Sequence, residues 1–222
     1  MERLNIFLGN LQICMQTLLW LFCFYWLDFD LFTYLLNNNI YLKFTFGLII
    51  TCSQIYLYQY LYMLVTVDSV FKKENENELQ NINEKHDYTT CKKCNVLRPK
   101  RAHHCRYCNK CILKMDHHCF TLNKCIGENN YYFFVRYLIF ALLNASYILW
   151  ISLYVIFNYY SQLKAYHLIK YGLLIFASFM GTLGLFFYLI FLIYLNIVKL
   201  TTLEFMYPSL RIKSGIRKEN EK

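Results

Sequence analysis

The chain has 222 residues, of which 57% are hydrophobic and 19% aromatic, and its formal net charge is +9. This length favours one domain or at most two, and the composition favours helices in lipid over a soluble globular domain. The positive charge does not indicate nucleic acid as a partner, because Lys and Arg accumulate on the cytoplasmic side of membrane proteins.

Four uncharged runs along the chain are each long enough for a membrane-spanning helix, which needs about 20 residues. The runs occupy residues 4–27, 44–67, 137–163 and 171–198. The first run lacks the small-residue cleavage site of a signal peptide, so it is interpreted as a retained span. We therefore expect transmembrane helices at about 8–27, 44–67, 135–158 and 171–198.

The distribution of basic residues predicts the orientation of these helices. The segment between the second and third spans, residues 68–131, contains twelve Lys or Arg residues. The opposite side of the membrane carries Lys43, Lys164 and Lys170. Because positive charge marks cytoplasmic segments, both termini and the central segment are predicted to be cytosolic.

The predicted fold class is an all-α polytopic membrane protein with four transmembrane helices and a small cytosolic cysteine-rich domain between helices 2 and 3. A polar cytosolic linker precedes this domain, and a basic cytosolic tail follows the fourth helix. The predicted boundaries are 1–67 for the first two helices, 68–90 for the linker, 91–134 for the cysteine-rich domain, 135–200 for the last two helices and 201–222 for the tail.

The stretch from Cys91 to Cys125 concentrates seven of the ten cysteines and four of the six histidines. Cytosolic cysteines stay reduced, which favours metal binding or catalysis over disulfides. Cys-x-x-Cys pairs begin at residues 91, 105 and 108, a spacing typical of zinc sites. Two four-coordinate sites would use eight of the eleven possible ligands, so at least one cysteine is left over.

The sequence Asp116-His117-His118-Cys119 places an acid, two imidazoles and a thiol in four consecutive residues. A carboxylate can orient a histidine, and that histidine can activate a thiol. The alternative is that Cys119 is simply another zinc ligand. Spacing alone does not decide which cysteine is spare.

The pattern of the stretch resembles the cysteine-rich domain of the Asp-His-His-Cys (DHHC) protein S-acyltransferases. The resemblance covers residues 91–134, and Thr201-Thr202-Leu203-Glu204 resembles the family's Thr-Thr-x-Glu motif. Besides the cysteines and histidines, the matching positions are Arg98, Pro99, Arg101, Asn123, Gly127, Asn130 and Phe134.

This resemblance implies two structural zinc ions with interleaved ligands. The first zinc would take Cys91, Cys94, His104 and Cys111. The second would take Cys105, Cys108, His118 and Cys125. Cys119 and His117 are then left over, and the third spare group, His103, is expected at the solvated surface.

The resemblance also implies the activity, a two-step S-acylation that uses palmitoyl-CoA or another long-chain acyl-CoA. Cys119 would be the nucleophile that carries the acyl group, His117 the general base and Asp116 the residue that orients His117. The acceptors would be cysteines of membrane-associated proteins, and the family expectation favours the Golgi or ER over the plasma membrane. The oligomeric state is left open.

Further residues are assigned from charge placement and from the motif. We expect Thr202 and Glu204 to support the active-site loop. The basic side chains predicted to meet the CoA phosphates are those of Arg98, Arg101, Lys110 and Lys124.

The chain departs from the family pattern close to the nucleophile. Phe120 and Thr121 stand where Pro-Trp is usual, Lys124 stands where the family has Asn, and no Asp-Pro-Gly follows the second span. Two alternatives to the enzyme remain open. One is a catalytically weak or inactive scaffold of the same family, and the other is a membrane-anchored, zinc-dependent protein-binding module.

Overall fold

The computed structural model describes residue Leu18 and residues 40–72 and 88–213. Most of the predicted first span, most of the polar linker and the end of the tail lie outside these residues. The described residues form two compact units. One unit contains residues 63–72, 88–134 and 192–213, and the other contains residues 40–62 and 135–191.

The cysteine-rich region of the first unit is built from three antiparallel β-hairpins. Hairpin 1 pairs β1 (Tyr88–Cys91) with β2 (Val96–Pro99). Hairpin 2 pairs β3 (His103–Cys105) with β4 (Lys110–Ile112), and hairpin 3 pairs β5 (His117–Cys119) with β6 (Lys124–Ile126). The prediction of an all-α protein missed these strands, because strands of three or four residues show no readable alternation of polar and apolar residues.

The three hairpins share one turn geometry. Cys91, Cys105 and Cys119 each end the first strand of a hairpin, and they follow one another at intervals of fourteen residues. Four residues separate each of these cysteines from the second strand, and the last of the four is always an Asn with positive φ: Asn95, Asn109 and Asn123. Asn tolerates this left-handed conformation better than most residues, which fits its place at the end of each turn.

The segment that follows the first long helix, α1 (Ile40–Thr66), is bonded to hairpin 2. The N–H of Phe71 donates to the carbonyl of Cys111, and the N–H of Leu113 donates to the carbonyl of Ser69, both at 2.8 Å. These bonds extend the pairing of β4 by a short stretch of chain. Residues 69–71 therefore form part of the cysteine-rich domain.

Asn130 fixes the same segment to the end of hairpin 3. Its side chain is fully buried and accepts hydrogen bonds from the Ser69 hydroxyl at 3.0 Å and the Gly127 N–H at 2.8 Å. Its amide group also donates to the carbonyl of Cys125 at 3.0 Å. At Gly127 a Cβ atom would lie 2.5 Å from the carbonyl oxygen of Leu113, so this close approach requires glycine.

Two long helices follow hairpin 3, and two short helices complete the described chain. The long helices are α2 (Tyr131–Tyr159) and α3 (Ala165–Ile197), and the short ones are α4 (Thr202–Met206) and α5 (Pro208–Lys213). Of the described helices, Tyr131–Gln162, which includes a final 3-10 turn, and Ala165–Ile197 are long and apolar enough to cross a membrane. The predicted total of four spans stays a prediction.

The helices of the second unit contact one another through an apolar cluster and a polar contact. The cluster consists of Ile148, Ile151, Val155, Leu163 and Tyr171. The buried Asn144 of α2 accepts a hydrogen bond of 2.6 Å from the side-chain amide of Gln54 in α1. Large apolar side chains such as Phe176 and Phe187 are more than half exposed, as expected of helix faces that contact lipid.

Candidate active site and metal centres

The first metal-binding group consists of Cys91, Cys94, His104 and Cys111, whose ligand atoms all lie within 4.8 Å of one another. The Sγ atom of Cys94 is 3.1 Å from Nδ1 of His104, and the Sγ atom of Cys91 is 3.8 Å from it. Cys91 and Cys111 are buried. Three thiolates and one imidazole form a donor set that suits tetrahedral zinc in a closed structural site.

The second group consists of Cys105, Cys108, His118 and Cys125 and has the same geometry. The Sγ atoms of its three cysteines lie 3.4 to 3.6 Å from Nδ1 of His118. Both groups could therefore hold a zinc ion, and they are the two ligand sets that the resemblance implies.

The two groups interlock consecutive hairpins. Each takes its Cys-x-x-Cys pair from one hairpin and its His and third Cys from facing strands of the next, which are His104 and Cys111 in hairpin 2 and His118 and Cys125 in hairpin 3. Since two neighbouring hairpins supply each set of ligands, a bound metal would fix hairpin 1 to hairpin 2 and hairpin 2 to hairpin 3.

Hairpin 3 lacks the second cysteine of its own pair. Cys119 occupies the position that Cys91 and Cys105 occupy in the earlier hairpins, but Leu122 stands where Cys94 and Cys108 stand. Leu122 is buried and offers no ligand atom. Among the residues that the structure describes, Cys119 belongs to neither group of four.

His117 connects Asp116 and Cys119. Its Nδ1 atom is 2.9 Å from Oδ2 of Asp116, and Cys119 lies two residues further along the same strand. Burial opposes protonation of His117, but the hydrogen bonds and charges of Asp116 and Cys119 prevail and raise its pKa to about 9. Burial alone would raise the pKa of Cys119, whereas the hydrogen bond to His117 and nearby backbone N–H groups lower it below its usual value. These opposite shifts favour a thiolate beside an imidazolium.

Asp116 is held from its far side by the segment after α3. The N–H of Thr202 donates to Oδ1 of Asp116 at 2.7 Å, and its hydroxyl donates to Oδ2 at 2.8 Å. The N–H of Leu203 donates to the backbone carbonyl of Asp116 at 3.1 Å. Asp116 is 2% exposed, so this carboxylate is ordered almost entirely by protein donors.

Glu204 holds that segment in place. Its side chain is fully buried and receives two hydrogen bonds from the Arg101 guanidinium, at 2.8 and 2.6 Å. It also accepts from the N–H of Thr201, whose hydroxyl accepts from the N–H of Glu204, so α4 begins with a capping box. Burial would raise the pKa of Glu204, but the bonds from Arg101 and Thr201 lower it below the usual value.

The structure does not gather the four basic side chains that were predicted to meet CoA. Arg98 donates to the Sγ atom of Cys111 at 3.6 Å, and Arg101 is paired with Glu204. Lys124 forms an ion pair of 2.8 Å with Asp68. Lys110 is exposed and lines the same cavity of about 350 Å³ as Lys124.

His103 is not at the surface as expected. It is 9% exposed, and its Nε2 atom has no hydrogen-bond partner among the described residues. It belongs to neither metal group. The Cys-His-rich sequence gave no sign of this burial, because His103 lies in a strand too short to show an inward and an outward face.

Phe120 packs beside the second metal group. Its ring centroid lies 5.0 Å from that of His118 and 4.9 Å from that of Tyr107. The usual Pro-Trp is thus replaced by an aromatic side chain that contacts a predicted zinc ligand and by the exposed Thr121.

The sequence assigned no structural role to some residues that shape the site. Phe134 packs edge-on against the ring of His117 with centroids 5.2 Å apart, Ser69 bonds Asn130, and Leu122 offers no metal ligand at the position that Cys94 and Cys108 hold in the other hairpins. The fourteen-residue interval between equivalent cysteines was a readable signal for Leu122. Nothing local marked Ser69, because its partner Asn130 lies far along the chain.

Comparison with known protein families assigns the chain that carries this site to a family. A family model described as DHHC palmitoyltransferase matches residues 84–209, more than half of the chain. The matched range includes both metal-binding groups, residues 116–119 and residues 201–204. No curated protein matches the chain in sequence.

Proposed function

Because this chain belongs to the DHHC palmitoyltransferase family, we propose that it transfers a long-chain acyl group from acyl-CoA to cysteine thiols of membrane-associated proteins. Members of this family are protein S-palmitoyltransferases. The observation that carries the proposal is the 2.9 Å contact of His117 with Asp116 beside the Cys119 thiol, which belongs to neither Cys3His group.

In the first half of the reaction, His117 takes the thiol proton of Cys119 and the thiolate attacks the thioester carbon of the acyl-CoA. The C–S bond to CoA breaks as the new bond to Cys119 forms. The CoA sulfur leaves with its electron pair and takes the proton from the His117 imidazolium. The raised pKa of His117 and the lowered pKa of Cys119 support transfer of the proton from the thiol to the imidazole.

In the second half, an acceptor cysteine attacks the S-acyl group on Cys119. His117 receives the acceptor's proton and returns it to the departing Cys119 sulfur, which restores the enzyme. Asp116 keeps the His117 ring in one orientation throughout, and Thr202 keeps Asp116 in place through two hydrogen bonds.

The two zinc sites are proposed to be structural, since each group of four ligands closes a tetrahedral shell. Bound zinc would supply rigidity and positive charge close to hairpin 3. His118 and Cys125 would hold that hairpin from one face, while the nucleophile on β5 takes no part in coordination.

The long apolar helices suit the substrate. A long acyl chain is poorly soluble in water, because each CH2 group that is buried in the membrane stabilises it by roughly 0.8 kcal/mol. We therefore propose that the reaction occurs at the cytosolic membrane boundary. Four spans, cytosolic termini and an endomembrane location, Golgi or ER, complete the proposal. Among the four predicted CoA contacts, exposed Lys110 remains the best candidate for a phosphate contact because the other three have protein partners.

The proposal is tested by incubating zinc-loaded, purified protein with alkyne-labelled palmitoyl-CoA. The expected product is a hydroxylamine-sensitive adduct that is absent from the Cys119→Ala variant. Well-folded protein that forms no adduct would identify a zinc-dependent binding module or an inactive scaffold instead. An adduct that persists in Cys119→Ala would assign the label to other cysteines and would contradict the proposed nucleophile.

A further inference from the structure

Lys124 and Cys119 are direct cross-strand partners in hairpin 3. Residues opposite each other in an antiparallel pair have side chains on the same face, and the faces alternate along a strand. The neighbouring pair, His118 and Cys125, turns towards the second metal group. Lys124 therefore lies on the face that carries the nucleophile.

The ammonium group of Lys124 is bound to the end of helix α1. It forms an ion pair of 2.8 Å with Asp68 and donates a short hydrogen bond to the carbonyl of Val65. Val65 lies in the last turn of α1, where carbonyl groups have no partner within the helix. A cation at this position complements the helix dipole. The Lys124 side chain is 15% exposed, so the contact is largely screened from water.

Hairpin 3 has other attachments as well, including the hydrogen bond from Asn130 to the carbonyl of Cys125. His118 and Cys125 attach one face of the hairpin to the metal group, and Asp116, just before β5, is attached to Thr202. His118 and Cys125 lie on the face opposite to that of Cys119, because the faces alternate along a strand. We infer that Lys124 is a positioning residue for Cys119, fastening the strand opposite the nucleophile to the last turn of α1.

This attachment is a feature of this chain. The family pattern has Asn where this chain has Lys124. An Asn side chain is shorter than that of Lys and has no charge to pair with Asp68.

The inference rests on the proposed function for its main readout, the rate of acyl-enzyme formation. This rate is measured at increasing palmitoyl-CoA concentrations for the wild type, Lys124→Met, Lys124→Arg and Lys110→Met, all zinc-loaded in the same detergent. A misplaced nucleophile slows the chemical step, so Lys124→Met should lower the maximum rate about tenfold and leave the half-saturating concentration within about twofold. Lys124→Arg keeps the charge and should recover most of the rate.

Lys110→Met is the matched control, since it removes the same charge beside the same cavity. It should raise the half-saturating concentration rather than lower the maximum rate. The inference is overturned if Lys124→Met behaves in that way, because Lys124 would then be a CoA contact. It is also overturned if Lys124→Met changes neither parameter.

Asp68→Asn tests the pair from its other end. Asp68 is 64% exposed in its side chain, so this variant does not threaten folding. It should lower the same maximum rate, and the double variant should lose little more than Lys124→Met alone. Full additivity of the two losses would contradict the attachment.

A second readout separates this inference from the proposed function. The rate of Cys119 alkylation by iodoacetamide depends on the position of the thiol but requires no acyl-CoA. A wild-type protein that alkylates at Cys119 but forms no acyl-enzyme would refute the proposed function alone. Equal alkylation rates in the wild type and Lys124→Met would refute the positioning role.

Discussion

Thr202 donates two hydrogen bonds to Asp116, one from its backbone N–H to Oδ1 at 2.7 Å and one from its hydroxyl to Oδ2 at 2.8 Å. Oδ2 is also the atom that faces Nδ1 of His117 at 2.9 Å. A residue that follows the last long helix thus fixes the carboxylate that orients the proposed base. The orientation of His117 should therefore depend on the hydroxyl of Thr202.

Replacing Thr202 with Val removes this hydroxyl while keeping the size and the branching of the side chain. We expect acyl-enzyme formation to slow by about tenfold, because a hydrogen bond to a charged group contributes at least about 1.5 kcal/mol. Thr202→Ser keeps the hydroxyl and should stay close to the wild-type rate. A Thr202→Val variant with unchanged rate would show that the backbone N–H alone orients Asp116.

Replacing Glu204 with Gln should destabilise the fold and change its response to acid. Arg101 is partly exposed while Glu204 is fully buried, so the expected loss is about 2 kcal/mol of unfolding free energy. The folded-state pKa of Glu204 lies below the ordinary 4.5. Its contribution is therefore fully present above that value and is lost as the pH falls through the lower folded-state pKa.

The measurement for Glu204 is the thermal unfolding temperature of wild type and Glu204→Gln from pH 7 down to pH 4. The difference between the two proteins should be constant down to about pH 5 and should shrink below it. Comparing two proteins at each pH cancels the acid sensitivity that the metal sites share. A difference that grows towards low pH would contradict the depressed pKa.

Metal content should distinguish ligands from the nucleophile. Cys108→Ala removes one donor of the second metal group, so the zinc bound per chain should fall from two to one or fewer, and acyl-enzyme formation should stop. Cys119→Ala should also stop acyl-enzyme formation but should retain both zinc ions. Elemental analysis of purified protein gives the count, and loss of zinc from Cys119→Ala would place this residue in a metal site.

The pH dependence of thiol alkylation should report the His117–Cys119 pair. Burial raises the pKa of Cys119, but His117 and backbone donors lower it overall, so the thiolate persists at pH values below the usual thiol range. His117→Ala should move the midpoint of iodoacetamide alkylation at Cys119 to higher pH. Peptide-level mass spectrometry on zinc-loaded protein measures this rate, and an unchanged midpoint would show that His117 does not stabilise the thiolate.

The sequence was sufficient to predict which residues come together in the two groups of potential metal ligands, because metal-binding chemistry is carried by residue types at short spacings. The four residues of each predicted zinc site come together as the structure's two groups of potential metal ligands. Asp116, His117 and Cys119 are consecutive or nearly so, and their contacts follow from that closeness.

Contacts between distant residues were harder to predict. Arg101 was predicted to meet a phosphate, but it pairs with Glu204 across about half of the chain. Lys124 was given the same task and is bound to Asp68. A basic side chain in a single sequence shows its charge and not its partner, whereas metal ligands restrict one another by the geometry of the ion.

In the proposed reaction, Cys119 alone among the cysteines of the domain carries the acyl group. The most direct test is peptide mapping by mass spectrometry after a brief incubation of zinc-loaded protein with palmitoyl-CoA, before an acceptor is added. We expect one hydroxylamine-sensitive palmitoyl group on the peptide that contains Cys119, and its transfer when an acceptor thiol is supplied. A palmitoyl group found on a metal-group cysteine while Cys119 stays unmodified would contradict it.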